Sequence, residues 1–192
     1  FNLDALMEFR PDQIICATGS VPRPLYLDGK LQQEVHQAVE ILENQTALAG
    51  QVVVIGGAIT GLDAADFLSK QGAHVTIIEA GKQAGSGLEW YLRKMRLKAL
   101  RDAGVKILVQ FRVAQVQRGF VVCKDQEGTE NRIPADETVA AIGSIAYNPF
   151  GKAIHDLPCR VTFIGDCRQP SGIAQALSDG LEAGQTCGLV SV

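Results

Sequence analysis

The residues best placed for chemistry are a glycine-rich turn and an acid a little over twenty residues beyond it. Residues 56–61 read Gly56-Gly57-Ala58-Ile59-Thr60-Gly61, directly after the apolar run Val52, Val53, Val54, Ile55, and Glu79 closes a second apolar run. At such a turn a first glycine permits the sharp bend, a middle glycine lets the backbone approach a pyrophosphate, and a third lets helix and strand pack closely. The helix that follows offers unpaired N–H groups to the phosphates. Gly56 and Gly61 fill the first and third positions, and Ala58 stands at the middle one. Glu79 lies where an acid accepts hydrogen bonds from an adenosine ribose, and its charge opposes a 2′-phosphate, which favours NAD over NADP.

The elements that must position these residues read as strand, turn, helix, strand. Residues 52–55 have the continuous apolar character of a parallel strand covered on both faces. Residues 61–71 carry Leu62, Ala65 and Leu68 at helical spacing, and residues 74–78 are again apolar and β-branched. Loop 80–87, with three glycines and Lys82, reads as a mobile segment that could fold over a bound cofactor or bring a cation to a 2′-phosphate. A helix over 90–102 is expected to turn Leu92, Met95 and Ala99 inward, with its arginines and lysines in solvent. Residues 105–109 give another strand. From 111 to 133 three short alternating segments separated by Arg118-Gly119 and Glu127-Gly128 predict an antiparallel meander, followed by a return strand over 137–142 that ends at Gly143.

Upstream, residues 2–9 suit a short helix with Leu3, Leu6 and Met7 on one face, and 32–44 a longer one with Val35, Val39 and Leu42 aligned and His36 in solvent. Between them a strand over 13–16 stops at Ala17-Thr18-Gly19-Ser20, and Val21-Pro22-Arg23-Pro24 forms a stiff connector. Downstream, a strand over 160–164 ends at Gly165-Asp166. A helix over 173–189 follows, with Ala176, Leu177, Leu181 and Ala183 as candidates for burial. An acid between a strand and a helix can accept from ligand hydroxyls at the carboxyl edge of a sheet. Equally, it can belong to a plain Gly-Asp turn with Ser171 as the helix cap.

Composition narrows the function classes. The 192 residues carry 18 Lys plus Arg against 21 Asp plus Glu, a net charge of −3, so no basic excess points to nucleic acid or an anionic membrane. No apolar run approaches eighteen residues and no signal-peptide pattern opens the chain, which makes the cytoplasm the simplest compartment. The five cysteines include no CxxC pair for a metal or a redox disulfide, and most read as small buried hydrophobes. The sequence starts at Phe1, which suggests a piece of a longer polypeptide.

Four motifs in order, 11–20 (PDQIICATGS), 52–68 (VVVIGGAITGLDAADFL), 136–143 and 163–167 (FIGDC), resemble the two-dinucleotide flavoproteins of pyridine nucleotide-disulfide oxidoreductase type. The resemblance covers nearly the whole chain. Within that superfamily it is most similar to the C-terminal region of multidomain NADH:flavin oxidoreductases such as 2,4-dienoyl-CoA reductase, enoate reductase and trimethylamine dehydrogenase.

It implies an α/β fold: a Rossmann-like parallel sheet with the meander as crossover, inserted into a second, partial FAD-type nucleotide-binding domain. The expected domains are 1–28, a fragment of the FAD-type domain with its connector; 29–145, the NAD(P)-binding domain; and 146–192, the C-terminal FAD-type fragment. By resemblance Gly56, Gly57, Ala58, Ile59, Thr60, Gly61, Glu79 and Gly143 serve the pyridine nucleotide. Gly165 and Asp166 face the ribityl-pyrophosphate part of FAD, and Ala17, Thr18 and Gly19 line the passage between domains.

The implied partners are dinucleotides and the missing parts of the parent polypeptide, a flavin barrel and the FAD half-domain. The parent would pass hydride from NADH to FAD and electrons onward to a second site. This chain alone is expected neither to hold FAD firmly nor to turn over substrate, and no catalytic side chain is assigned, since the cofactors carry the chemistry. The competing reading is a non-catalytic adenine-nucleotide-binding or structural domain, supported by Ala58. A thioredoxin-reductase-like enzyme is disfavoured by the missing CxxC. A glutamate-synthase-type electron-transfer subunit shares much of the motif order.

Overall fold

The computed structural model describes residue 6, residues 8–32 and residues 34–187. The chain forms two compact units, Pro22–Gly143 and the pair of segments Phe1–Val21 and Ser144–Val192. The division falls at 21/22, not 28/29, because Leu25 is buried with Val53, Ile55 and Ile78 in the core of the larger unit. At the other crossing it falls at 143/144, where 145/146 was expected.

The larger unit is built on five parallel strands in the order His36–Gln37, Glu137–Ala140, Gln51–Ile55, His74–Glu79, Lys106–Val109. The unbroken apolar runs have a direct cause: alternate residues enter different cores on the two faces of the sheet. Val52, Val54, Val75, Ile77 and Val139 pack against helical residues including Leu62, Ala65 and Leu68. Val53, Ile55, Ile78 and Ala140 pack under the meander residues Val121, Cys123 and Ala135. The helix Ile59–Lys70 lies in sequence between Gln51–Ile55 and His74–Glu79, so the expected strand, turn, helix, strand unit is present. The meander is an antiparallel sheet of Arg112–Gln117, Gly119–Lys124 and Glu130–Ala135 with the middle strand in the centre.

Three local expectations for this unit are corrected. The helix read over 32–44 begins only at Ala38: Ala38–Asn44 is helical, His36–Gln37 joins the sheet edge, and Gln33 lies outside the described residues. Its inward residues are Ala38 and Ile41, because the strand preceding it resets the phase of the helix. His36 is not simply solvated, since its Nε2 lies 2.9 Å from Glu137 Oε2. The helix Trp90–Asp102 turns Leu100 and Leu97 inward and leaves Leu92 and Met95 exposed, the reverse of the expected face. The rotation follows from Arg96, which pairs with Asp63 of the preceding helix, and from Arg93, whose aliphatic stem lies against Gly85.

The smaller unit contains a parallel pair, Gln13–Cys16 with Arg160–Phe163, and the helix Ile173–Thr186. Ile14, Cys16, Ile154 and Cys167 form its core. Burial raises the Cys16 thiol pKa, with nearby Cys167 adding to the shift, and burial likewise raises that of Cys123, so both are kept as neutral thiols. Cys159 is half-buried and Cys187 exposed.

The helix packs through Asp179 and Ala183, while Ile173, Leu177 and Leu181 are 81%, 70% and 66% exposed. Leu177 and Leu181 therefore stand on the face opposite to that expected. Asp179 draws the helix down by bonding the strand-end turn, and that fixes which side faces in. Of the helix expected over 2–9, Leu6, Glu8 and Phe9 are described and helical, whereas Leu3 and Met7 lie outside the described residues, as do 188 and 189 of the last helix.

Candidate functional site

The glycine turn sits at the carboxyl edge of the parallel sheet, where open α/β folds bind ligands. Two of its glycines are demanded by the backbone itself. Gly56 has φ +104°, and a Cβ there would lie 2.3 Å from the Ala141 carbonyl oxygen. A Cβ on Gly61 would lie 2.0 Å from the Gly56 carbonyl oxygen, so the helix can approach the strand only with hydrogen at that position. Ala58, by contrast, has φ −75°, which any residue adopts, and it is the N-cap of the helix. The backbone therefore has no steric need for glycine at 58. The N–H groups of Ile59, Thr60 and Gly61 open the helix and have no intrahelical acceptor.

Beside the turn, a cavity of about 830 Å³ lies within the larger unit. That is inside the range of roughly 300–1,000 Å³ typical of small-molecule sites. Gly56, Ala58, Glu79 and Gly143 line it, together with Tyr26, Asp28, Phe111, Arg112 and Lys124. The first four were legible in the sequence. The others come from the hairpin of Tyr26–Leu27 with Lys30–Leu31 and from the meander and its lead-in, and the one available signal was that a single residue separates Phe111-Arg112 from a strand's carboxyl end.

Glu79 does more than face the cavity. Its Oε2 accepts from the Gly57 N–H at 2.7 Å and its Oε1 from the Gly81 N–H at 2.6 Å. Charge-assisted bonds of this kind are about twice as strong as neutral ones. They fasten the turn to the segment after the strand, where the Gly85 N–H also donates to the Gly57 carbonyl at 2.6 Å. With Ala84 buried as well, loop 80–87 is packed down and is not the free flap expected. Lys82 is not among the lining residues of the cavity, whose cations are Arg112 and Lys124.

The remaining candidate residues belong to the smaller unit. Thr18 Oγ1 donates to the Tyr147 carbonyl at 2.5 Å, and the Tyr147 N–H donates to the Gly19 carbonyl at 3.0 Å; both follow Ala17. The Asp166 carboxylate accepts from the N–H groups of Ser171 at 3.1 Å and Gly172 at 3.4 Å. The N-cap of the helix is Gly172, so Ser171 is not the cap. Its hydroxyl donates to the Gln169 carbonyl at 3.0 Å.

Gly165, at φ +60°, donates its N–H to Asp179 Oδ2 at 2.9 Å. Asp179 also accepts from Gln175 Nε2 at 2.8 Å and from the Arg168 guanidinium at 2.9 Å. These donors, Gln175 foremost and then the Gly165 N–H, hold its carboxyl below the usual range. Sequence reasoning missed Asp179, whose signal is an acid on the helix face that otherwise carries only small residues.

A parallel sheet with a glycine turn at its carboxyl edge, an acid at the end of the next strand and an antiparallel meander is a Rossmann-like α/β fold of the FAD/NAD-binding type. More narrowly, the chain belongs to the pyridine nucleotide-disulphide oxidoreductase family, whose model matches residues 4–162. It is 28% identical over 182 residues to a cinnamate reductase of Clostridium sporogenes, covering 92% of this chain and 27% of that protein. It is 29% identical over 186 residues to an NADH oxidase of Thermoanaerobacter brockii, covering 94% and 29%. Among solved structures, a 2-naphthoyl-CoA reductase complex superposes with a TM-score of 0.85 at 25% identity, covering 96% of this chain and 28% of that one.

The resemblance read from the motifs therefore holds, and the chain spans less than a third of the length of these relatives. No helix among the described residues is long and apolar enough to cross a membrane. No group of three or more His, Cys, Asp or Glu among them could hold a metal ion.

Proposed function

We propose that Pro22–Gly143 is the pyridine-nucleotide-binding unit of a flavin-dependent oxidoreductase, and that the two flanking segments are parts of its FAD-type domain. The observation that carries this reading is one cavity bordered by the glycine turn, the start of the helix Ile59–Lys70 and Glu79. The N–H groups of Ile59 and Thr60 face the nucleotide's pyrophosphate, and the helix dipole favours its charge. Each Glu79 oxygen has accepted one backbone N–H and keeps lone-pair capacity for a ribose hydroxyl. Ala141, Ile142 and Gly143 border the nicotinamide end. When bound, the nicotinamide supplies the hydride, and the residues of this chain hold and orient it without acting as acid or base.

For the FAD-type part, Gly165 and Asp166 face the flavin's ribityl-pyrophosphate, with Thr18 and Gly19 following the paired strand Gln13–Cys16 at the same edge of the sheet. Asp166 retains acceptor capacity on Oδ2, whose nearest donor is Ser20 Oγ at 3.5 Å. The relatives' names, cinnamate reductase and NADH oxidase, support an NADH-to-flavin reaction completed elsewhere in a longer polypeptide. So does the apolar face of Ile173, Leu177 and Leu181, which a larger domain would cover. Purified alone, the chain is expected to carry no stoichiometric flavin, and finding it would refute this part of the reading.

Calorimetric titration with NADH and ADP tests the nucleotide role. Saturable NADH binding that weakens in Glu79→Ala is expected. ADP binding as tightly as NADH favours instead a non-catalytic adenine-holding domain, and the absence of binding by either would reduce the turn to scaffold.

A further inference from the structure

The larger unit has a second cavity, at the amino edge of the sheet and so opposite the glycine turn. Its volume is about 700 Å³. It lies between the start of the strand Glu137–Ala140, the bend joining the first two meander strands, and Leu31, Glu34 and Val35 ahead of the edge strand. Thr138 lines it and is only 5% exposed. Side chains alternate along a strand, and Val139 packs on the helical side while Ala140 packs under the meander. Thr138 therefore points to the meander side, toward the cavity that Val116 and Ala135 also line. Its hydroxyl makes no hydrogen bond among the described residues. No fully enclosed side-chain oxygen or nitrogen among those residues lacks a partner, so this hydroxyl opens on the cavity and not into the core. A hydroxyl on so buried a residue ordinarily has a partner in a native fold.

The charges around it define what that partner would be. Glu34, Asp136 and Glu137 line the cavity together with one guanidinium, Arg118. Arg118 offsets one carboxylate and an acidic excess remains. Two of the acids are fixed from behind: Asp136 Oδ2 accepts from the Gln51 N–H at 2.7 Å, and Glu137 Oε2 lies 2.9 Å from His36 Nε2. In each the second oxygen has no partner among the described residues. These acids do not converge as the ligands of a metal ion must, which leaves an organic cation. We propose that this cavity binds a small primary alkylammonium. Such a group brings three N–H donors, matched by the Thr138 hydroxyl and the open oxygens of Asp136 and Glu137, and Val35 and Val116 offer apolar wall to its alkyl part. The site is separate from the glycine turn and does not depend on the nucleotide reading.

The test is titration of the isotope-labelled chain with n-butylammonium chloride, followed by amide chemical shifts. Tetramethylammonium chloride supplies the charge without N–H donors, and n-butanol the alkyl chain without the charge. Saturable shifts are expected at 116–119 and 135–138 and not at 56–61. Thr138→Val keeps the side-chain shape and removes the hydroxyl, so the dissociation constant should rise about tenfold, the loss of one hydrogen bond to a charged group. Thr138→Ser should stay within about twofold of wild type, and Glu34→Gln, at an exposed position, should weaken binding about threefold. No saturable shift, shifts of the same amides by tetramethylammonium or butanol at equal concentration, or unchanged affinity in both Thr138→Val and Glu34→Gln would overturn the site.

Discussion

The two units of this chain treat the same type of element differently. In Pro22–Gly143 every strand residue from Val52 to Ile55 is buried, with helices on one face of the sheet and the meander on the other. In the smaller unit the parallel pair Gln13–Cys16 and Arg160–Phe163 buries Ile14 and Cys16 and leaves Ile15 exposed, and its helix turns three large aliphatic side chains to solvent. Parallel strands are ordinarily covered on both faces. The difference teaches that the larger unit satisfies its own sheet, whereas the smaller one has apolar surface left for something else to cover. Covering Ile173, Leu177 and Leu181 would contribute about 1.5–3 kcal/mol each.

Substitutions can break or sharpen this contrast. The largest effect is expected from Gly61→Ala, which sets a Cβ against the Gly56 carbonyl and should cost about 3 kcal/mol or more in denaturant unfolding. Gly165→Ala, whose added Cβ meets only Ala176 at 3.4 Å, should cost about 1–2 kcal/mol from its left-handed backbone. Equal costs would mean that the two turns are not packed differently.

Next comes Asp179→Asn, which weakens the hold on Gly165 and lowers the melting temperature at neutral pH. The Asp179 pKa lies below its unfolded value, so its stabilisation is complete above the unfolded pKa, about 3.9, and is lost as pH falls through the lower folded value. Wild type and variant should therefore converge in acid, and a gap that is constant from pH 7 to pH 2 would contradict this role. The smallest effect belongs to Leu177→Ser with Leu181→Ser. Each should change stability by less than about 0.5 kcal/mol while reducing binding of a hydrophobic dye, since neither side chain is buried here.

What could be read from the sequence follows this same division. Val52 to Ile55, Leu62, Ala65 and Leu68 announced their burial because a two-sided core leaves an unbroken apolar pattern. Leu92 and Met95 misled because the helix Trp90–Asp102 has apolar residues on more than one side, and an ion pair from Arg96 to Asp63 settled its rotation. His36–Gln37 is too short a strand to show a period. At the site, Gly56, Ala58, Glu79 and Gly143 were legible from spacing along one strand, turn, helix, strand unit and its return strand. Arg112 and Lys124 were not, because cross-strand register joins residues twelve positions apart that no local pattern links. The two hydrogen bonds that Glu79 accepts from the Gly57 and Gly81 N–H groups were likewise hidden, since spacing gives the place of a carboxylate but not its partners.

The most direct measurement is amide hydrogen exchange on the purified chain with and without saturating NADH. Protection should rise at 56–61 and 79–81 and stay unchanged at 13–19 and 160–168, which would show a nucleotide held by the larger unit alone. Protection confined to 160–168, or none at 56–61 despite measurable binding, would contradict the claim that Pro22–Gly143 is the nucleotide-binding unit.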